Sequence, residues 1–237
     1  MIEDIFYKKN IIQKIVYPFK RCGKDLYLVG GAIRDCLLSR DFVDYDFIYM
    51  KGDEPLVLQV ARILNKQPFL MGNDQKQKLP TYRIVKDQLT FDFTLLSGES
   101  VQEDLARRDF TMNSIALSLL ERSLIDPFDG INDIDKRIIR MVSCENLLDD
   151  PLRMLRAIRY LSVLDKFNLG LPLERAILAN HHMIQNVSRE RVRSELDQIL
   201  LSDRCQEGIE KLVSLKLIFD VFPEMGELSG CVQGDHH

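Results

Sequence analysis

The sequence predicts an α+β fold, a small mixed sheet with flanking helices followed by an all-helical stretch. Three observations predict it. Short strand-like runs crowd the first half: LYLV (26–29), DYDFIYM (44–50), TYRIVK (81–86) and LTFDFTLL (89–96). Helical patterns lie between them. From about Cys144 onward the strand signals stop and apolar residues recur at helical spacing. Strands first and helices later point to α+β rather than to alternating α/β.

Each element has its own reason. LYLV is a short apolar run that ends in Gly30-Gly31, and a helix reads from Ala32 to Leu38. DYDFIYM alternates and is rich in aromatics, as a half-buried strand is. Pro55–Leu64 reads as a helix, and the polar GNDQKQK (72–78) as an exposed loop. TYRIVK and LTFDFTLL read as neighbouring strands joined by a turn at Asp87-Gln88. Val101 to about Leu119 reads as helix with a break near Asp109. Asp126-Pro127 and Asp129-Gly130 punctuate the next connection. Leu152, Leu155, Ile158 and Leu161 then repeat at helical spacing, followed by Leu173–Met183, Arg189–Leu201 and Gln206–Leu215.

The bulk composition is that of a globular chain. Its 237 residues are 46% hydrophobic and 29% charged, enough to bury a sizeable core. No apolar run approaches the ~18–20 residues that span a bilayer, and MIEDIFYKKN lacks the basic start and apolar centre of a signal peptide. Cys22, Cys36, Cys144, Cys205 and Cys231 are dispersed, which points to free thiols in a reducing cytoplasm rather than to a disulfide frame or a zinc site. The net charge of −4 excludes a globally basic nucleic-acid binder. Between Asp150 and Glu195, however, eight basic residues oppose five acidic ones. That local excess suits either an anionic ligand or a solvated helix surface.

Gly30-Gly31 is not a dinucleotide fingerprint, because no third glycine follows at the required place. Nor is it a P-loop, which needs Gly-Lys-Ser/Thr. A strand–Gly-Gly–helix turn with Arg34 one turn on is still suited to phosphate, since glycine permits close approach and helix N-termini attract anions. Asp44 and Asp46 would project from one face of a strand. Two such carboxylates repel unless a cation joins them. Mg²⁺ prefers oxygen ligands and often uses one or two carboxylates plus substrate phosphates. Carboxylate pairs can hold two metals ~3.5–4 Å apart in phosphoryl transfer. Asp92 reads either as a third carboxylate or as a polar edge residue.

These residues lie within four blocks: LVGGAIRDCLLSRDFVDYDF, EDLARRDFTMNSIAL, DPFDGINDIDKRIIRMV and DDPLRMLRAIRYLSVLDKFNL, with VSRERVRSEL as a weaker fifth. In that order they resemble class II tRNA nucleotidyltransferases and bacterial poly(A) polymerases, of the polymerase β-like superfamily, over about residues 26–200. The resemblance implies a catalytic nucleotidyltransferase head (1–140), a helical neck with a nucleotide-selecting helix (141–201) and the start of a helical body (202–237). It implies Asp44 and Asp46 as catalytic metal ligands for Mg²⁺, beside which the strand reading offers Asp92 as a third. It implies Gly30, Gly31 and Arg34 as triphosphate contacts, Arg108 as a nucleotide contact, Asp109 as the ribose reader and Asn113 as a brace for that turn.

Base choice is expected a hundred residues later. With Asp150 at zero degrees on a wheel of about 100° per residue, Arg153, Arg156 and Arg159 fall near ~300°, ~240° and ~180°. Leu155, Ile158 and Leu161 gather between about 20° and 140°. The helix can therefore pack on one stripe and present guanidinium groups on another. Asp150-Pro151 reads locally as an N-cap followed by proline at the first helical position. The resemblance adds a protein template, in which Asp150 accepts from the exocyclic amine of C or A and Arg153 donates to the ring edge. Arg156 and Arg159 would then meet phosphates, with Arg191 supporting the pocket.

The implied reaction is addition of C and/or A from CTP or ATP to the 3′ end of tRNA or another RNA, with release of pyrophosphate. Poly(A) synthesis is the near alternative, and a non-catalytic RNA- or nucleotide-binding fragment the distant one. Two departures bear on this. The segment from Asp92 to Arg107 is short where CCA-adding members often carry a longer loop, which favours a CC-adding or A-adding specialist. The chain ends at GCVQGDHH where family members continue, so grip on the tRNA would come from a partner chain or a further C-terminal domain. His181-His182 reads as surface or core rather than as a metal site.

Overall fold

Ile12, Ile15, Val16 and Phe19 stand at positions i, i+3, i+4 and i+7, and they form the buried face of helix α1 (Asn10–Arg21). The sequence expectations begin at residue 26, so this helix is an addition to them. The computed structural model describes Phe6, residues 9–71 and residues 79–228. The expected loop 72–78, the terminal GCVQGDHH and Cys231 lie outside them. Two compact units divide the chain, Met1–Asp135 and Lys136–His237.

The first unit is built on one sheet. Its elements are β1 (Tyr27–Val29), α2 (Gly31–Leu37), β2 (Asp44–Tyr49), α3 (Glu54–Ile63), β3 (Phe69–Met71), β4 (Thr81–Lys86) and β5 (Leu89–Leu95). After these come α4 (Val101–Ala106), a 3₁₀ turn (Thr111–Asn113), β6 (Ala116–Ser118), β7 (Ser123–Ile125) and α5 (Gly130–Asp135). The strand order is β3-β4-β5-β2-β1-β6-β7. Only β2 and β5 run parallel, and every other neighbouring pair is antiparallel. The sheet is therefore mixed, as expected. The β4–β5 hairpin turns at Asp87-Gln88, with Lys86 opposite Leu89. Val29, Ile48, Val101, Leu105 and Ala116 pack into one buried cluster that ties α4 to the sheet.

One expectation needs correction here. Helix does not run on to Leu119. It stops at Ala106, and Ala116–Ser118 is a strand paired with β1. Ala116, Leu117 and Ser118 are all buried, so both faces of the strand are covered. A strand buried on both faces reads as a continuous apolar run, which periodicity alone does not distinguish from helix.

The second unit holds β8 (Ile138–Ile139), α6 (Cys144–Asp149), α7 (Leu152–Val163), β9 (Asn168–Leu169), α8 (Leu171–Asn180) and a 3₁₀ stretch (His181–Asn186). Helices α9 (Arg189–Leu200), α10 (Cys205–Ser214) and α11 (Leu217–Val221) follow, then a 3₁₀ stretch at Pro223–Leu228. It is helical except for the two-residue parallel pair β8–β9, so strand structure does not end at Cys144. Helix α7 buries Met154, Leu155, Ala157, Ile158 and Leu161. Among the described residues, no helix is long and apolar enough to cross a membrane.

Helices α7, α9 and α10 meet at Gly208. A Cβ there would stand 2.3 Å from Ser162 Oγ and 2.7 Å from Ile199 Cγ2. Both neighbours belong to packed helices, so neither can retreat freely. Gly208→Ala is expected to destabilise this unit by about 1–3 kcal/mol, the usual cost of overpacking. Urea unfolding of the variant would show it as a lower midpoint, and an unchanged midpoint would show that the helices have room.

Candidate active site

The turn between β1 and α2 depends on one glycine. Gly30 has φ +75° and ψ −134°, a region that residues with a Cβ avoid. A Cβ on Gly30 would stand 3.1 Å from Arg108 Nη1, 3.7 Å from Asp46 Oδ2 and 3.9 Å from the Asn113 carbonyl. The glycine thus marks the point where three separate stretches of chain converge. Gly31 is under less constraint, since its Cβ would make only ordinary contact with Arg34, 3.5 Å away. Helix α2 has seven residues, too short for its dipole to add much there.

Asp44 and Asp46 share the exposed face of β2. Their backbone is held from the other side. Tyr45 stacks on Phe91 at 5.2 Å and Phe47 on Phe93 at 4.9 Å, all four rings buried. This aromatic floor fixes the register of the parallel β2–β5 pair, which sets Asp46 beside Asp92. Asp46 reaches solvent, yet protein crowds it. That desolvation raises its carboxyl above the ordinary carboxylate value. Arg108 opposes the shift, while Asp92 and Asp44 add to it. A carboxylate disfavoured in this way gains from a nearby cation. The donors are hard oxygens, so the pair fits a divalent metal such as Mg²⁺. Asp92 stands differently, because Arg83 takes both its oxygens, at 2.8 and 2.6 Å. Among the described residues, no group of three or more His, Cys, Asp or Glu gathers as a metal cluster.

The RRD turn is braced by a chain of hydrogen bonds. Arg34 Nη1 donates to Asn113 Oδ1 at 2.7 Å, and Asn113 Nδ2 donates to Asp109 Oδ1 at 3.0 Å. The same Asp109 oxygen accepts from the Phe110 N–H at 2.8 Å. Arg34 also forks onto Asp35, at 3.0 and 2.8 Å, and is buried. Arg34, expected at a triphosphate, places Nε and Nη2 on Asp35 and Nη1 on Asn113. Arg108 is more open and donates to Asp104 Oδ1 at 3.2 Å while standing beside Gly30 and Asp46. Of the expected head residues, Gly30, Asp46, Arg108 and Asn113 come together around one point, and Asp109 is joined to it through Asn113.

The second unit carries the expected base-reading residues. Asp150 does not cap α7. It ends α6 in an extended conformation, and its side chain accepts from Arg191 Nη2 of α9 at 2.8 Å. Its carbonyl receives the Arg153 N–H at 2.9 Å, so the backbone alone starts the helix. Arg153 Nη1 donates to the Asn146 carbonyl within α6, at 3.0 Å. Arg156 reaches the Tyr160 hydroxyl at 3.4 Å. Arg159 is engaged in packing: it donates to Glu195 Oε2 at 2.6 Å and lies 4.2 Å over the Tyr160 ring. His181 pairs with Asp220, so it has a partner that sequence spacing did not supply.

Sequence reasoning missed Arg83. The available signal was its place in a strand next to the one carrying Asp92, but their pairing depends on hairpin register. It also missed Glu195 and Asp35, the carboxylates that occupy Arg159 and Arg34.

Residues 26–140 match the family model described as "Poly A polymerase head domain", and residues 166–228 match "Probable RNA and SrmB- binding site of polymerase A". A CC-adding tRNA nucleotidyltransferase of Synechocystis sp. is 32% identical over 206 residues, 86% of this chain and 48% of the relative. One from Shouchella clausii is 36% identical over 188 residues, 79% of this chain and 47% of the relative. The Thermotoga maritima CCA-adding enzyme complexed with tRNA has a similar structure, with a TM-score of 0.81 at 26% identity, covering 94% of this chain and 55% of that one. The chain spans about half the length of the curated relatives it matches.

Proposed function

The chain belongs to the class II tRNA nucleotidyltransferase and poly(A) polymerase family, whose members generally use a divalent metal, and on that premise we propose that it adds C and/or A to tRNA 3′ ends, releasing pyrophosphate. One observation carries the reading. Asp46 shares the exposed face of β2 with Asp44 and stands, with the Arg108 guanidinium, at Gly30, whose positive φ disfavours a side chain there. Negative charge for a metal and positive charge for a phosphate are thus set within one short reach. Asp44 and Asp46 would hold the metal, proposed as Mg²⁺, which when bound supplies Lewis acidity for in-line displacement by the RNA 3′-hydroxyl at the α-phosphate. Gly30 leaves room for the triphosphate, Arg108 offsets its charge, and Asn113 with Arg34 fixes Asp109 to receive the ribose hydroxyl. Their work is positioning and electrostatics.

We assign residues 1–140 to a catalytic head, 141–201 to a neck and 202–237 to the start of a body. In the neck, Asp150 and Arg153 would read the base. Arg191 engages one Asp150 oxygen and would leave the other to accept from the amine of C or A. The connection from β5 to α4 covers only residues 96–100, a short segment that suits a CC-adding or A-adding specialist. The dispersed cysteines support a cytoplasmic setting.

The test offers Mg²⁺, each labelled NTP singly and in pairs, and tRNAs ending before CCA, at C and at CC. The expected result is incorporation of C from CTP. Long A tails on unrelated RNA would point to poly(A) synthesis instead, and normal NTP binding with no incorporation would overturn the enzyme reading. Arg153→Ala is expected to relax discrimination against UTP and GTP by roughly 10–100-fold, the worth of about 1–3 kcal/mol of base readout. The same variant should weaken triphosphate affinity less. Competition kinetics with paired NTPs would measure both, and intact discrimination would remove Arg153 from the template.

A further inference from the structure

Asp104 is a buried carboxylate on α4. Its two oxygens are divided between two partners. Oδ2 accepts the Ser97 N–H at 3.3 Å, from the connection between β5 and α4. Oδ1 accepts from Arg108 Nη2 at 3.2 Å, one turn further along the chain. Helix α4 ends at Ala106, so Arg108 lies beyond its last turn, where the helix no longer sets the direction of a side chain. The other end of the guanidinium, Nη1, is the atom nearest to where a Gly30 side chain would stand, 3.1 Å away, with Asp46 Oδ2 next at 3.7 Å. Arg108 is thus held at one end and presented to the glycine turn by the other. Burial gives this anchor more weight than an exposed pair four residues apart has, because water and salt screen it less. Asp46 attracts the same guanidinium, so Asp104 supplies a second, competing anchor.

We propose that Asp104 is a positioning residue that aims Arg108 at the nucleoside triphosphate, taking Nη2 and leaving Nη1 toward the glycine turn. The proposal rests on the reading of Arg108 as a nucleotide contact. The Ser97 N–H fixes the orientation of the carboxylate itself, so the segment before α4 and the arginine after it share one anchor. An amide at this position would keep an acceptor but lose the charge, and a charge-assisted bond is roughly twice as strong as a neutral one.

The probe is CTP with Mg²⁺, titrated into the full chain without RNA, so that binding is read apart from incorporation. Asp104→Asn is expected to weaken CTP binding about tenfold by calorimetry, within the coupling found between residues of one network. In an Arg108→Gln background the same change is expected to alter affinity by less than about twofold, because the group it aims is gone. Asp104→Glu, which moves the carboxylate outward, serves if circular dichroism shows that Asp104→Asn does not fold. An equal loss in both backgrounds would overturn the proposal, since Asp104 would then act on the fold and not through Arg108. So would wild-type affinity in a folded Asp104 variant. Arg108→Gln alone separates the two readings. If it leaves CTP affinity unchanged, the reading of Arg108 as a nucleotide contact fails and the proposal fails with it. If it weakens CTP binding while the Asp104 variants are silent, only the role of Asp104 fails.

Discussion

Asp46→Asn is expected to cut nucleotide incorporation by at least about 1,000-fold, the effect of losing several kcal/mol of charge stabilisation at the reacting phosphate. The same variant is expected to melt at a higher temperature than wild type in metal-free buffer at neutral pH. The sign follows from the carboxyl's surroundings. Desolvation raises the folded Asp46 value above the ordinary 3.8, with Arg108 opposing and Asp92 and Asp44 reinforcing. The folded state therefore binds this proton more tightly than the unfolded chain does. Stability from this group is full below 3.8 and falls as pH climbs to the raised folded value, then stays low. The amide carries no such cost. The gain in melting temperature should shrink as the buffer is taken below the folded carboxyl's value. Divalent metal should reverse the order by stabilising wild type and not the variant. Calorimetry with and without metal at two pH values would check this. A variant that melts lower than wild type in every buffer would refute the electrostatic account of the site.

Gly130→Ala is expected to damage the active site from a distance. Gly130 opens α5, where Asp126 accepts the Gly130 and Ile131 N–H groups at 2.7 and 2.9 Å. A Cβ there would stand 2.2 Å from the Thr111 carbonyl oxygen and 2.8 Å from its carbon. Those are backbone atoms of the turn that carries Asn113, so a rotamer change cannot relieve the clash. Thr111 is also fastened to Asp133 of α5 at 2.5 Å. The expected cost is about 2–3 kcal/mol, or a melting temperature lower by roughly 5–10 °C. Displacement of Asn113 should loosen Asp109 and raise KM for the nucleotide more than an equally destabilising change remote from this turn, such as Gly208→Ala. Steady-state kinetics well below the melting temperature would separate the two effects. A normal KM would mean that the turn absorbs the shift.

Features written in contiguous stretches were legible in the sequence. The glycine turn, the Asp-x-Asp strand and the hairpin at Asp87-Gln88 each declare themselves within a dozen residues, because local chemistry decides them. Helix α1 was equally legible in Ile12, Ile15, Val16 and Phe19, although no expectation covered it. The strand at Ala116–Ser118 was ambiguous for a physical reason: burial on both faces erases the alternation that marks a strand. Arginine roles were the least accessible. A guanidinium reads the same whether it faces solvent, a phosphate or a carboxylate from elsewhere in the fold. Arg34 is committed by Asp35 and Asn113, Arg159 by Glu195 and Arg83 by Asp92. Apart from Asp35, those partners are remote in sequence or set by strand register. Asp150-Pro151 has the local form of a cap, yet Arg191 of α9 draws the carboxylate away.

The single parallel pairing in the sheet has a consequence for how the protein is made. Hairpin β4–β5 closes over a two-residue turn and can form early, as local contacts do. Strand β2 joins β5 only after the chain has passed through α3, β3 and β4, a long loop whose closure is entropically slow. Asp92 and Arg83 are thus a local pair within one hairpin, whereas Asp92 and Asp46 are brought together only by the long-range pairing of β2 with β5.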